Sequence, residues 1–280
     1  QCFEYLSANL DFSAIKGEPL IVFNPLPFIR TDIIKVDVTG NKKIRDPDSG
    51  KDISSVRNNG KMVFLAHNVP ACGYKVFDIV SVRKSESSDR IKTFTEKRCC
   101  IENEYYRISA EDEVGICSIV IKEDDWESVR GVTNLIVAEE DCGDYLKESF
   151  TGNRIKMTEG KVKVMGVDKT EVYERICLEG VFAALYWLDN STLKWKGEIT
   201  LYREIPRIDF RTLINWEGKN TRVQVRFPTP FTTSRGLYEV PFAVLERGPY
   251  DILPMASGDW PCLRFLCVEE AGHGILLVNH

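Results

Sequence analysis

The sequence predicts an all-β protein made of two antiparallel sandwich units in tandem. Three observations predict it. From residue 20 onward apolar residues recur with a period of two, Pro, Gly and Asp residues punctuate the runs, and no later stretch keeps a helical period. A polar, charged stretch over residues 81–97, SVRKSESSDRIKTFTEK, separates the two units.

Residues 1–18 read as the end of a helix. Phe3, Leu6 and Leu10 recur at helical spacing, and Gly17 with Pro19 stops the pattern. Residues 19–90 read as a small sandwich. Ile34, Val36 and Val38 alternate there with Lys35, Asp37 and Thr39, so one face is apolar. Residues 45–51, RDPDSGK, form a turn, with Pro and Gly at turn positions. KMVFLA and YKVFDIV supply two further strands, divided by Pro70 and Gly73. Residues 91–280 read as a larger sandwich. CCIENEYYRI (99–108) reads as one strand, with Glu104, Tyr106 and Ile108 on one face and Asn103, Tyr105 and Arg107 on the other. Its polar groups therefore do not converge. Ile208, Phe210, Thr212, Ile214 and Trp216 share a face opposite Asp209, Arg211 and Asn215, and TRVQVRF alternates until Pro228 and Pro230 end it.

Composition excludes several classes. With 280 residues and 43% apolar content, the chain can bury a substantial core. A net charge of −5 and a pI near 5.5 argue against a nucleic-acid footprint. No apolar run is long enough to cross a bilayer, and no signal peptide or lipidation motif is present, so no membrane partner is expected. Nine cysteines at irregular spacing, without a CxxC pair, read as reduced thiols of a cytoplasmic protein and argue against a structural zinc site. The chain starts at Gln1 and stops at His280 directly after an apolar run, so both ends read as cuts within something larger.

Candidates for chemistry are few. His67, His273 and His280 lack HxH or HExxH spacing, and neither a GxSxG elbow nor a Walker loop occurs. The densest polar cluster is EEDCGDYLKES, Glu139 to Ser149. It offers carboxylates and a phenol to sugar hydroxyls, or it is a solvated turn. Of the five tryptophans (126, 187, 195, 216 and 260), Trp216 lies on an apolar strand face and Trp260, beside Pro261, is the better surface candidate for stacking on sugar.

Six segments, in order, resemble one family. They are PLIVFNPLPFIRTDIIKV (19–36), IRDPDSG (44–50), VPACGYKVFDI (69–79), IENEYYRI (101–108), EITLYREIPRIDFRTLINW (198–216) and YEVPFAVLER (238–247). Together they are similar to the C-terminal β region of family 38 glycoside hydrolases, the α-mannosidases. The resemblance implies a small immunoglobulin-like sandwich followed by a truncated super-sandwich resembling galactose mutarotase. It also implies a preceding catalytic domain that holds zinc and an aspartate nucleophile. That domain would perform retaining hydrolysis of terminal α-mannosides, for which two carboxyl groups must stand about 5–5.5 Å apart. The implied partners are an oligosaccharide ending in α-mannose, the enzyme's own catalytic domain and a second copy in a homo-oligomer. No catalytic or metal-ligating residue is expected in this chain. Family members bring a Gly-x-Tyr loop to the pocket rim, and Gly143-Asp144-Tyr145 matches it, although Cys142 and the lack of a following Pro depart from relatives. Tyr145 and Asp144 are thus candidate substrate-binding residues, and Arg247 is a third. Two other readings stay open: a carbohydrate-binding module without catalysis, which needs an exposed aromatic platform, and a mutarotase-type enzyme, which needs a placed acid–base pair.

Overall fold

The computed structural model describes residues 2–13, 15–82, 91–93, 97–143, 149–182, 187, 192–232, 235–248 and 260–279. A short helix, α1 (Cys2–Ala8), opens the chain, and Phe3 rests against Phe23 with ring centroids 5.0 Å apart. The helix ends well before Gly17, because Asn9 and Leu10 already close a turn on Leu6 and Ser7.

Seven strands follow: β1 (Glu18–Asn24), β2 (Arg30–Asp37), β3 (Lys42–Arg45), β4 (Asp52–Ile53), β5 (Ser55–Asn58), β6 (Lys61–Val69) and β7 (Gly73–Ser81). They form two antiparallel sheets, β1-β7-β3-β4 and β2-β6-β5. Val38, Ile44, Met62, Phe64, Ala66, Val69, Phe77 and Ile79 fill the space between them, with Phe64 and Phe77 edge-to-face at 5.1 Å.

The next twelve strands are β8 (Ile91–Thr93), β9 (Arg98–Glu102), β10 (Tyr106–Glu111), β11 (Gly115–Ile121), β12 (Trp126–Glu127), β13 (Leu135–Asp141), β14 (Phe150–Lys156), β15 (Lys161–Lys169), β16 (Tyr173–Val181), β17 (Thr192–Tyr202), β18 (Ile208–Glu217) and β19 (Thr221–Arg226). They make three sheets, β12-β11-β10-β9, β14-β13-β19 and β18-β17-β16-β15-β8. These sheets enclose the largest core, in which Ile101, Ile108, Ile116, Ile136, Ile176, Leu193 and Ile199 are fully buried. Ile208, Phe210, Ile214 and Trp216 pack onto it from β18, the face expected from alternation. The last strands, β20 (Gly236–Val240), β21 (Ala243–Arg247), β22 (Phe265–Glu270) and β23 (His273–Val278), form a fourth sheet in the order β21-β20-β22-β23.

Strand β6 explains how the first two units join. Its run KMVFLA has buried side chains on both faces. Met62, Phe64 and Ala66 enter the small-sandwich core, whereas Val63 and Leu65 point the other way. There they meet Val172, Tyr173, Tyr202 and Ile205 in a separate buried cluster, with Val56 and Ile33 beside them. A strand buried on both faces reads as a continuous apolar run. Each such aliphatic side chain contributes about 1.5–3 kcal/mol on burial.

The segment IENEYYRI is not one strand, and the expectation of two alternating faces is corrected. It is a hairpin that turns at residues 103–105 between β9 and β10, with Glu102 paired to Arg107 and Ile101 to Ile108. Asn103 causes the turn. Its buried side-chain oxygen accepts from the N–H groups of Tyr105 (3.0 Å) and Tyr106 (2.8 Å), drawing the backbone out of the ladder. Its amide donates to the carbonyls of Tyr202 (2.8 Å) and Ile205 (3.3 Å). Glu104 accepts from the N–H of Glu204 (2.9 Å), and the Tyr106 hydroxyl donates to Pro206 O (3.1 Å). The polar cluster is a fastener onto the turn between β17 and β18.

Replacing Asn103 with Ala should therefore destabilise the protein by roughly 2–4 kcal/mol, since two carbonyls and two N–H groups lose their partner. Asn103→Asp, which keeps the acceptor but turns a buried carboxylate oxygen toward the Tyr202 and Ile205 carbonyls, should destabilise at least as much; urea unfolding measures both. The Glu104 contact adds acid sensitivity. The Glu204 N–H holds this carboxyl below its ordinary range. Its contribution is full at neutral pH and is lost as the pH falls through that lowered value.

Candidate functional site

The acidic stretch that begins at Glu139 rises from the sheet β14-β13-β19. Register places Ile136 and Ala138 toward the core, so Val137, Glu139 and Asp141 point away from it. Glu139 is buried between its cross-strand neighbours Arg154 and Arg222. Arg222 donates to it at 3.2 Å, and Arg226 stands at 4.0 Å. The Arg222 guanidinium also covers the Phe150 ring at 3.9 Å.

Glu140 faces the other way and fills an irregularity in the ladder. Between Glu139 and Asp141 the partner strand advances from Arg154 to Phe150, so β14 bulges. The Glu140 carboxylate accepts from the Thr151 hydroxyl (2.6 Å) and the Asn153 amide (2.7 Å), both within the bulge. Those donors hold its carboxyl below the ordinary carboxylate range.

Asp141 closes the root of the loop. One of its oxygens, Oδ1, accepts from the N–H of Gly143 and from the N–H of Ser149, each at 2.9 Å. The Cys142 N–H donates to Ser149 O at 2.9 Å, and the Asp141 N–H donates to Asn220 O at 3.0 Å. The Ser149 bond, then the Gly143 bond, holds the Asp141 carboxyl below its usual range. The expected choice between sugar-binding carboxylates and a solvated turn thus resolves differently for the first three acids. Glu139, Glu140 and Asp141 are each committed to a structural contact.

Tyr145 and Asp144, the leading sequence candidates, lie outside the described residues; the structure builds the two ends of their loop at Gly143 and Ser149. Arg247 ends β21 on the C-terminal sheet. Its guanidinium donates to Pro261 O at 3.4 Å and lies 5.1 Å from the centre of the Trp260 ring. Among the described residues, no hydrogen bond or ion pair joins Arg247 to residues 139–143.

The tryptophans do not make the platform that a free-standing sugar-binding module needs. Trp195 is buried, and Trp187 and Trp216 pack on the core. Trp126 is stacked with His273 (4.3 Å) and with Phe231 (5.6 Å). Trp260 is half-buried, with its indole N–H on Gly248 O at 2.8 Å. Among the described residues no three His, Cys, Asp or Glu side chains converge to hold a metal ion. Sequence reading missed Arg222, which organises the loop root, because a cation in an alternating strand carries no signal of its cross-strand partner.

Residues 101–280 match the model of the glycosyl hydrolases family 38 C-terminal domain. Among solved structures, the chain superposes on a protein in the glycosyl hydrolase family 38 from Enterococcus faecalis with a TM-score of 0.76 at 14% identity, covering 98% of this chain and 40% of that one. It superposes on an alpha-mannosidase from Enterococcus faecalis V583 with a TM-score of 0.74 at 14% identity, covering 98% and 39%. No curated protein sequence matches. The chain therefore spans about two fifths of the length of these solved relatives.

Two outcomes follow from the loop root. Glu139→Gln should lower stability by roughly 1–3 kcal/mol in thermal unfolding, because Arg222 and Arg226 lose a largely buried anionic partner. Asp141→Ala should speed amide exchange at Gly143 and Ser149, whereas Asp141→Asn, which keeps the accepting oxygen, should change it far less. In the wild type the same protection should weaken only modestly, as in Asp141→Asn, when the pH falls through the lowered Asp141 value, because the neutral carboxyl still has an accepting oxygen.

Proposed function

The chain belongs to the C-terminal domain family of the family 38 glycosyl hydrolases, and from that premise we propose that it is the accessory β region of a retaining α-mannosidase acting on oligosaccharides that end in α-mannose. The observation that carries this reading is the family match over residues 101–280, in a chain that covers only two fifths of an α-mannosidase of the same fold. In this reading the chain braces a catalytic domain and shapes the rim of its pocket. Zinc and the nucleophile belong to that other domain, and zinc would supply the grip on the sugar's hydroxyls.

The loop root supports a role at the rim. The two ends of the loop, Gly143 and Ser149, share one carboxylate oxygen at Asp141 beside a bulge braced at Glu140, so the root of the loop is tied to the sheet. That is the mechanical requirement for presenting Tyr145 or Asp144 to a substrate, a phenol being both donor and acceptor. Arg247 is the third rim candidate, from the other sheet. The free thiols of Cys72, Cys99, Cys100, Cys117, Cys142, Cys177, Cys262 and Cys267 favour a reducing, cytoplasmic setting. Second copies of the chain are a further partner in this reading.

Hydrolysis of an aryl α-mannoside, with zinc added, tests it. The 280-residue chain alone should give no turnover. The same chain extended by a family catalytic domain upstream should be active, and Tyr145→Phe in that protein should raise KM. Turnover by the chain alone would overturn the reading.

A further inference from the structure

The C-terminal sheet ends on a bare strand. In the order β21-β20-β22-β23, β21 has a neighbour on one side only. Every residue from Ala243 to Glu246 is exposed, with Val244 on one face of the strand and Leu245 on the other. The hairpin that carries β21 turns at Pro241 and Phe242, and the Phe242 side chain is fully exposed at its tip. Edge strands are commonly guarded by charges, prolines or bulges. Other edges of this molecule have such guards: β9 carries Arg98 and Glu102, β18 carries Asp209 and Arg211, β19 carries Arg222 and Arg226, and β14 is bulged. The two charges of β21 are engaged within the chain, Glu246 with Arg235 at 2.6 Å and Arg247 with Pro261 O at 3.4 Å. At the opposite edge of the sheet, β23 is half-buried at every second residue, whereas β21 is exposed along its apolar run.

The hydrogen-bond pattern fixes which backbone groups point outward. Glu239 O accepts from the Leu263 N–H (2.9 Å), on the β22 side. Glu239 therefore turns away from β21, and its neighbours Tyr238 and Val240 bond to their partners Leu245 and Ala243. The N–H and C=O groups of Val244 and Glu246 then face the open edge, where no turn or loop group among the described residues bonds to them.

We propose that β21 is the interface for a second copy of this chain, the two strands pairing antiparallel about a twofold axis at Leu245 and joining two C-terminal sheets into one. The strand is self-complementary in this register. Val244 of each copy stands opposite Glu246 of the other, and these are the residues whose N–H and C=O groups point outward, so they exchange hydrogen bonds on both sides of the axis. Leu245 meets its own equivalent at the axis, Ala243 lies opposite Arg247, and no like charges face each other. Neighbouring registers are worse. Centring on Glu246 would oppose two carboxylates. Centring on Val244 would draw Phe242 into the ladder, and its φ of 65° is incompatible with a strand. In the favoured register the exposed Phe242 tip of each copy comes beside the Arg247 end of the other β21. A contact built on one short strand is small, so the dimer is weak and reversible. The pairing gives the second copy named above a surface and does not rest on the mannosidase reading.

Sedimentation velocity of the 280-residue chain tests it. The mean mass should rise from that of one chain toward that of two between about 2 μM and about 200 μM. Val244→Pro removes an outward N–H and no bond within the hairpin, and Leu245→Lys sets two like charges at the axis. Each should weaken association roughly tenfold or more while leaving the thermal midpoint of the monomer unchanged. Leu276→Lys, on the opposite edge strand, should leave association as it is. Mild oxidation of Leu245→Cys should link position 245 of one copy to position 245 of another, read by peptide mapping, whereas Val244→Cys should not link to itself. A chain that stays monomeric at about 200 μM would overturn the proposal and leave this edge to a different partner. A dimer that survives both Val244→Pro and Leu245→Lys, or that Leu276→Lys weakens as much as they do, would also overturn it.

Discussion

The turn from Tyr202 to Arg207, between β17 and β18, is the point on which the rest of the structure depends. From one side the β9–β10 hairpin grips it, with Asn103 on two of its carbonyls, Glu104 on an N–H and Tyr106 on a third carbonyl. From the other side the small sandwich presses on it. Tyr202 and Ile205 share a buried cluster with Val63 and Leu65 of β6. Around that cluster run polar contacts, Arg207 to Asp32 at 3.3 Å and His67 to Glu204 at 3.7 Å. The exposed ion pairs add little by themselves. Burial of two apolar faces and complete satisfaction of one buried amide carry the junction.

The three acids at the start of the 139–148 run are structural, each for a different reason. Glu139 neutralises two arginines over a buried sheet face, Glu140 holds a bulge, and Asp141 draws two backbone N–H groups onto one oxygen. Among the described residues, the loop root therefore commits its three acids to structure and offers no acid–base pair.

Much of the fold was legible in the sequence, and the limits have physical causes. Alternation located β18 and β19 because each has one face toward a core and one toward solvent, and β2 because Ile34 and Val36 share the face on the small core. The continuous run in β6 was legible as a strand, but its second partner was not, since apolarity does not say what covers it. The hairpin at Asn103 was misread as one strand. An Asx-type capture of two N–H groups interrupts the ladder without any Gly or Pro to announce it. The helix reading ran too far, because Leu10 keeps the helical spacing after the backbone has already closed a turn at Leu6 and Ser7. Of the candidate site, the acidic loop was found as a cluster of residue types. Its division into structural acids at the root and candidate rim residues beyond depends on cross-strand register, which joins positions as far apart as Glu139 and Arg222. The pairing of His273 with Asp124, 149 positions away, leaves no trace in local pattern.

Calorimetric unfolding of the wild-type chain tests the central claim most directly, namely that the β6 face and the Tyr202–Arg207 turn make the first two units one cooperative body. The account predicts one transition that contains both units, which splits in two when Leu65 is replaced by a charged residue. Two separate transitions in the wild type would contradict it.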